Sequence, residues 1–274
     1  MKMSRILVRD TLRDHLASCK SVLAMWEAGS AAFGRVDDFS DLDIGLLCRQ
    51  GTNEEVWALV DSACDALGGV TLRWNDLSQP IRDEDTRVFR LRAASRWLQV
   101  DIHLFADTSA DLHNQPERHG EIVVIFDHDK RLLLPPWDAE AHRRHIREAL
   151  HQEIMKWQIY YGWFRKELAR GRTMDAFAAH IGGSVRPLLN VLGMRYRPAR
   201  WDFGMRYLKE DMPAPIVQTI ERLCYVADPS LLEERFSEAD RLFQETVDEL
   251  RQQGIIPLDT KGIDVATSFT PQEL

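Results

Sequence analysis

Asp41 and Asp43 alternate with Leu42 and Ile44, and a Gly29-Ser30 pair precedes them across a spacer of ten residues. On a strand, residues i and i+2 point the same way, so both carboxylates project from one face while Leu42 and Ile44 anchor the other. Their Cα atoms would then lie roughly 7 Å apart. Like charges held that close raise each other's pKa unless a cation lies between them. A hard divalent ion with oxygen ligands, most naturally Mg²⁺, relieves the repulsion and stays open to phosphate oxygens. Gly29 permits close backbone approach, and the Ser30 hydroxyl with neighbouring N–H groups can hold those oxygens. The following AAFGR can open a short helix whose N-terminus favours anions, and Arg35 adds a charge-assisted contact. A plainer reading of the same residues is a surface hairpin whose aspartates end a strand.

A third acid stands on a later apolar run, RWLQVDIHLF, residues 96–105. Leu98, Val100, Ile102 and Leu104 fall on one face; Trp97, Gln99, Asp101, His103 and Phe105 share the other. The first face is expected in the core. The second, with Asp101, is expected to point toward a cleft or solvent. His103, a lone histidine, reads as a satisfied polar residue before it reads as a ligand.

Together, Gly29-Ser30, the spacer, Asp41-Leu42-Asp43-Ile44 and the later Val100-Asp101-Ile102 resemble the signature of the polymerase-β-like nucleotidyltransferase superfamily. Ala28 is a mild match to its hydrophobic position before Gly-Ser. The resemblance implies two metal ions bridging the carboxylates and a triphosphate. A nucleoside monophosphate then passes to a hydroxyl and pyrophosphate leaves. Asp41 and Asp43 would hold both metals, Asp101 would complete the site and could take the hydroxyl proton, and Ser30 would cradle the β and γ phosphates. Ser40 is a candidate second hydroxyl there, with a turn role as its alternative. An inactive relative that binds nucleotide is a further reading, though the triad is intact.

The elements that must position these residues follow from the periods of the pattern. Residues 24–28 and 42–48 read as strands, the stretch from Thr52 as a helix stopped by Gly68-Gly69, and 70–74, 87–93, 96–105 and 121–127 as further strands. The charged, amphipathic start reads as an opening helix of a cytoplasmic protein rather than a secretory signal. After Pro135-Pro136 the period turns helical. One long helix is expected through Ile146, Leu150, Ile154, Trp157, Tyr161, Phe164 and Leu168. Another is expected over about 173–193, broken near Gly182-Gly183, and a third over about 214–226. A fourth opens at Ser230 with Glu233 as a capping box, and the tail from Gly254 reads as irregular. The expected class is α+β: a mixed β-sheet flanked by helices, the nucleotidyltransferase domain of the resemblance, over 1–135, then an all-α helical bundle over 136–274.

Composition narrows the partners. Hydrophobic residues at 45% and charged residues at 28% suit a folded core, and no run approaches the roughly 18 apolar residues of a membrane span. The net charge of −8 argues against tracking a nucleic-acid backbone and suits a cation, whether divalent metal or cationic small substrate. Cys19, Cys48, Cys64 and Cys224 lack C-x-x-C spacing and read as reduced small hydrophobes.

A sheet domain followed by a helical bundle is similar in layout to the antibiotic nucleotidyltransferases, which adenylylate aminoglycosides or lincosamides. That similarity implies ATP as donor, Mg²⁺ as cofactor and a small hydroxylated, cationic acceptor. It also brings a glutamate of the helical part into play as general base. Glu153, with Lys156 near it, is the candidate, against the alternative of a solvated helix face. The stretch RYRPARWDFGMRYLK gathers Arg195, Arg197, Arg200, Arg206 and Lys209, to reach a triphosphate, stack on adenine or face solvent. Asp37, Asp38, Asp83, Glu84 and Asp85 would line an amine-binding cleft or merely solvate loops. A protein-adenylylating transferase of the toxin–antitoxin type and a non-catalytic nucleotide-binding regulator are the competing functions. The oligomeric state, the donor base and the choice between Asp101 and Glu153 as base are left open.

Overall fold

The computed structural model describes residues 3–75, 84–109, 112, 114–133 and 136–257. Expectations placed on Asp83, on Pro135 and on the chain beyond Pro257 lie outside them. The chain divides into two compact units, Met1–Trp137 and Asp138–Leu274.

The first unit carries six strands, β1 (Val22–Glu27), β2 (Leu42–Cys48), β3 (Val70–Asn75), β4 (Glu84–Leu91), β5 (Val100–Ala106) and β6 (Val123–Asp127). They form one mixed sheet in the order β3-β4-β5-β2-β1-β6, with β2 and β5 parallel and the other neighbours antiparallel. Its helices are α1 (Arg5–Leu16), the single turn α2 (Gly29–Ala32), α3 (Asn53–Ala66) and the short α4 (Pro116–His119). The Ser4 hydroxyl accepts from the Leu7 N–H and starts α1, while Gly68 and Gly69, both at positive φ, end the turn after α3.

Alternation along β2 sorts the two faces of the sheet. Leu42, Ile44, Leu46 and Cys48 join Val100, Ile102 and Leu104 in a core closed by Val8, Leu12 and Leu16 of α1 and Val56, Trp57 and Val60 of α3. The opposite face is half core and half site. Trp26 lies across Gly45, where a Cβ would stand 2.1 Å from its ring. It also stacks on Phe105 at 5.7 Å. The face assigned to cleft or solvent therefore buries Phe105, because Trp26 of β1 reaches over β2 to cover it. Residues 96–99, expected as strand, precede β5 instead.

The second unit contains α5 (Ala139–Ile159), α6 (Trp163–Ala169), α7 (Thr173–His180), α8 (Arg186–Tyr196), the short α9 (Leu208–Asp211), α10 (Ala214–Cys224) and α11 (Leu232–Gln252). They bury one apolar core that includes Leu150, Trp157, Phe164, Leu188, Phe236 and Phe243. The single helix expected over 146–168 is two: the chain turns at Tyr160–Gly162, with Gly162 at φ 61°. Trp157, on one side of the turn, and Phe164, on the other, pack on the same Phe236, so the apolar period runs on through the break. Near Gly182-Gly183 the chain keeps right-handed helical angles and widens to a π turn over Ile181–Val185. The Ser230–Glu233 capping box does not form. Asp228 accepts from the Ser230 N–H at 2.8 Å, and Glu233 is taken by Arg165.

The four cysteines are free thiols. Burial pushes Cys48 up to about 12 and Cys64 up to about 11, which leaves both protonated and inert. Among the described residues no helix is long and apolar enough to cross a membrane.

Candidate active site

The parallel register of β2 and β5 sets Asp43 directly opposite Asp101. Neighbouring strands run about 4.8 Å apart, so two carboxylates on one face of such a pair meet. Asp41 stands just ahead of β2, where its Oδ1 accepts the Gln99 backbone N–H at 3.1 Å. Gln99 also donates from Nε2 to Asp101 Oδ2 at 3.1 Å. The second oxygen, Asp101 Oδ1, is buried and has no hydrogen-bond partner among the described residues. Burial, then the charges of Asp43 and Asp41, hold the Asp101 carboxyl above the usual range, against the lowering effect of the Gln99 amide.

The Gly29-Ser30 turn lies against the same carboxylates. The Ala28 N–H donates to the Asp43 carbonyl at 2.9 Å. At Gly29 (φ 56°) a Cβ would stand 1.9 Å from Asp43 Oδ2. Only glycine satisfies both the angle and the approach. Ser30 Oγ is buried without a hydrogen-bond partner among the described residues. Its carbonyl accepts the Arg35 N–H at 2.8 Å, which closes the turn, and the Arg35 guanidinium stacks over Phe33 at 5.3 Å. The structure thus brings together Gly29, Ser30, Asp41, Asp43 and Asp101.

Other expected residues are placed differently. The Ser40 hydroxyl donates to Asp37 Oδ1 and accepts the Asp37 N–H, both at 2.9 Å; these contacts are those of a turn. His103 Nδ1 pairs with the Thr86 hydroxyl at 3.1 Å. Asp85 accepts from Trp57 Nε1 at 2.6 Å, which ties it to the core, and Asp38 is exposed. Glu153, in the second unit, is buried rather than solvated and pairs with Lys156 at 2.8 Å. The arginines proposed for a triphosphate are engaged locally: Arg195 with Glu249 at 3.0 Å, Arg200 with Asp211 at 3.0 Å, and buried Arg197 with Asp211 at 3.6 Å and with the Gly204 and Arg206 carbonyls.

Residues around the acids that the sequence did not single out are Glu27, Arg5, Arg9 and Gln99, and the first three have no local signal there. Glu27, 2% exposed, pairs with Arg5, with Arg9 at 3.7 Å from its other oxygen. Arg5 also donates from Nε to the Asp41 carbonyl at 2.9 Å. Glu27 sits opposite Ile44 in the ladder, so this ion pair fastens α1 to the sheet on the side away from Asp43. Gln99 has a faint signal: it stands two residues before Asp101 and shares its face.

The donor set can be tested against a divalent cation. Among the described residues no three His, Cys, Asp or Glu side chains are gathered tightly enough to enclose a metal ion. Mg²⁺, however, is usually held by one or two carboxylates with its remaining positions on water and phosphate. Asp43 facing Asp101, with one Asp101 oxygen uncommitted, fits that kind of open, hard-oxygen site and not a closed cage.

No family model matches the chain, and no curated protein matches it. Solved structures do. One is an aminoglycoside 6-adenyltransferase from Bacillus subtilis, with 11% identity over 94% of each chain and a TM-score of 0.35. Another is a nucleotidyltransferase-like protein from Exiguobacterium sibiricum 255-15, with 11% identity over 92% of this chain and 77% of that one, also at 0.35.

Proposed function

We propose that the chain is a Mg²⁺-dependent nucleotidyltransferase that moves AMP from ATP to a hydroxyl of a small, cationic molecule of the aminoglycoside kind and releases pyrophosphate. The observation that carries this reading is the opposition of Asp43 and Asp101 beneath a glycine-serine turn that tolerates no side chain. Ser30 Oγ and the N–H groups of its turn bind the terminal phosphates. Asp43 and Asp101, with Asp41 beside them, would hold the metal, which when bound would neutralise charge on the triphosphate and on the oxygens that attack and leave. Asp101 is the general base of this reading and takes the acceptor hydroxyl proton. Glu153 carries no step here, its carboxylate being held by Lys156. The net charge of −8 favours a cationic acceptor.

The test is incubation with labelled ATP, Mg²⁺ and a panel of aminoglycosides, following pyrophosphate and the label. Label on a small molecule, lost with Asp41→Asn plus Asp43→Asn and retained with Glu153→Gln, is the expected result. Label on a polypeptide side chain points instead to protein adenylylation. ATP binding without pyrophosphate release for any acceptor points to a regulator.

A further inference from the structure

We infer that Gln99 is a positioning residue for the carboxylate site, reserving one oxygen of Asp101 for the ligand; this rests on the nucleotidyl-transfer reading above. Its backbone N–H holds Asp41 Oδ1 and its side-chain amide holds Asp101 Oδ2, each at 3.1 Å. The two acids on either side of the site are therefore set by a single residue. With Oδ2 committed, Asp101 Oδ1 is left buried and unpaired among the described residues.

The orientation of the amide is itself fixed. Arg90, on β4, donates from Nη2 to Gln99 Oε1 at 3.1 Å and from Nη1 to the Arg96 carbonyl at 2.8 Å. A guanidinium is only ever a donor, so it must face the amide oxygen. The amide nitrogen is then turned toward Asp101. A relay runs from β4 through Gln99 to the acid at the start of β5, and each link has one chemically allowed sense.

The residue type matters as much as the geometry. A lysine at position 99 would neutralise Asp101 and compete with a metal for it. A glutamate would add repulsion where three carboxylates already stand. Glutamine offers a donor with no charge, so it steers the carboxylate without screening it. Loss of such outer hydrogen bonds typically weakens metal binding about 10–100-fold.

The experiment uses the full chain, with Mn²⁺ and a non-hydrolysable ATP analogue as probes, read by water-proton relaxation. Gln99→Met keeps the length of the side chain and the backbone N–H to Asp41 but removes both amide contacts. It is expected to weaken Mn²⁺ binding about 10-fold or more, with the bound-Mn²⁺ electron paramagnetic resonance line altered. In steady state it lowers kcat more than it raises KM for ATP, while the thermal midpoint stays near that of the wild type. Arg90→Gln leaves Gln99 in place, frees its amide, and is expected to shift Mn²⁺ affinity the same way by a smaller factor. It serves as the second variant should Gln99→Met not fold. Wild-type Mn²⁺ affinity in both folded variants overturns the inference alone. A wild-type chain that binds no Mn²⁺ with the analogue overturns it together with the nucleotidyl-transfer reading.

Discussion

At Gly29 two constraints coincide, a φ of 56° and an Asp43 oxygen 1.9 Å from where a Cβ would stand. Gly34, at φ 64°, has nothing within 4 Å of its Cβ position, so it isolates the first constraint from the second. Gly29→Ala is expected to displace the Asp43 carboxylate and abolish transfer. Gly34→Ala should cost about 1–2 kcal/mol of backbone strain and leave transfer intact; chemical unfolding and the pyrophosphate assay separate the two. Asp101 argues in the other direction. Its half-buried carboxyl stands beside Asp43 and Asp41 and is held above the usual carboxylate range, so its ionisation works against the fold. Asp101→Asn should raise the thermal midpoint in metal-free buffer while reducing transfer about 10²–10⁴-fold. These acids and the glycine were legible from the sequence because strand parity and a short spacer are local properties. Arg5–Glu27 and Arg90–Gln99 were not, because partners brought together by the sheet leave no spacing to read.

Among the elements, β2 occupies Leu42–Cys48, the bounds expected of it, and the helix expected from Thr52 up to Gly68-Gly69 is α3, Asn53–Ala66. Period and Gly or Pro punctuation were enough there. They failed at Tyr160–Gly162, because two helices that bury on the same core keep the apolar step across a turn. Asp240 is the side chain that holds this corner. It accepts from Trp157 Nε1 on α5 and from the Tyr161 hydroxyl in the turn, both at 3.0 Å. Burial and that contact push the Tyr161 hydroxyl up to about 12. Asp240→Ala leaves the buried Trp157 N–H without an acceptor and should destabilise the helical unit by about 2 kcal/mol. Asp240→Asn, which keeps one acceptor oxygen, should lose roughly half of that. Urea unfolding measures both, and an ultraviolet titration should show the Tyr161 phenol returning toward 10 in the alanine variant.

At the scale of the whole molecule, two units with separate cores need not respond alike to acid. The second unit buries His180 completely. Its Nε2 meets the Leu223 carbonyl at 2.9 Å, and since a carbonyl only accepts, that nitrogen carries the proton. Nδ1 is then bare, buried and without a hydrogen-bond partner among the described residues. Burial lowers the His180 pKa below its usual 6.5, outweighing the Leu223 contact that raises it. The folded chain keeps His180 neutral where the unfolded chain has begun to charge it, so the unfolded state binds the extra proton. Stability from this group is full above about pH 6.5 and falls as pH drops below it, at up to about 1.4 kcal/mol per pH unit, until the folded pKa is reached. His180→Gln keeps a donor for Leu223 and cannot take the charge. Between pH 5 and 7 its unfolding free energy should vary less steeply than that of the wild type, with the other eight histidines of nine common to both curves. Hydrogen exchange at pH 5.5 should show amides of α7 and α10 opening more readily than at pH 7.5, with those of β2 and β5 less affected. Parallel pH curves for the two proteins would assign the acid sensitivity to another group.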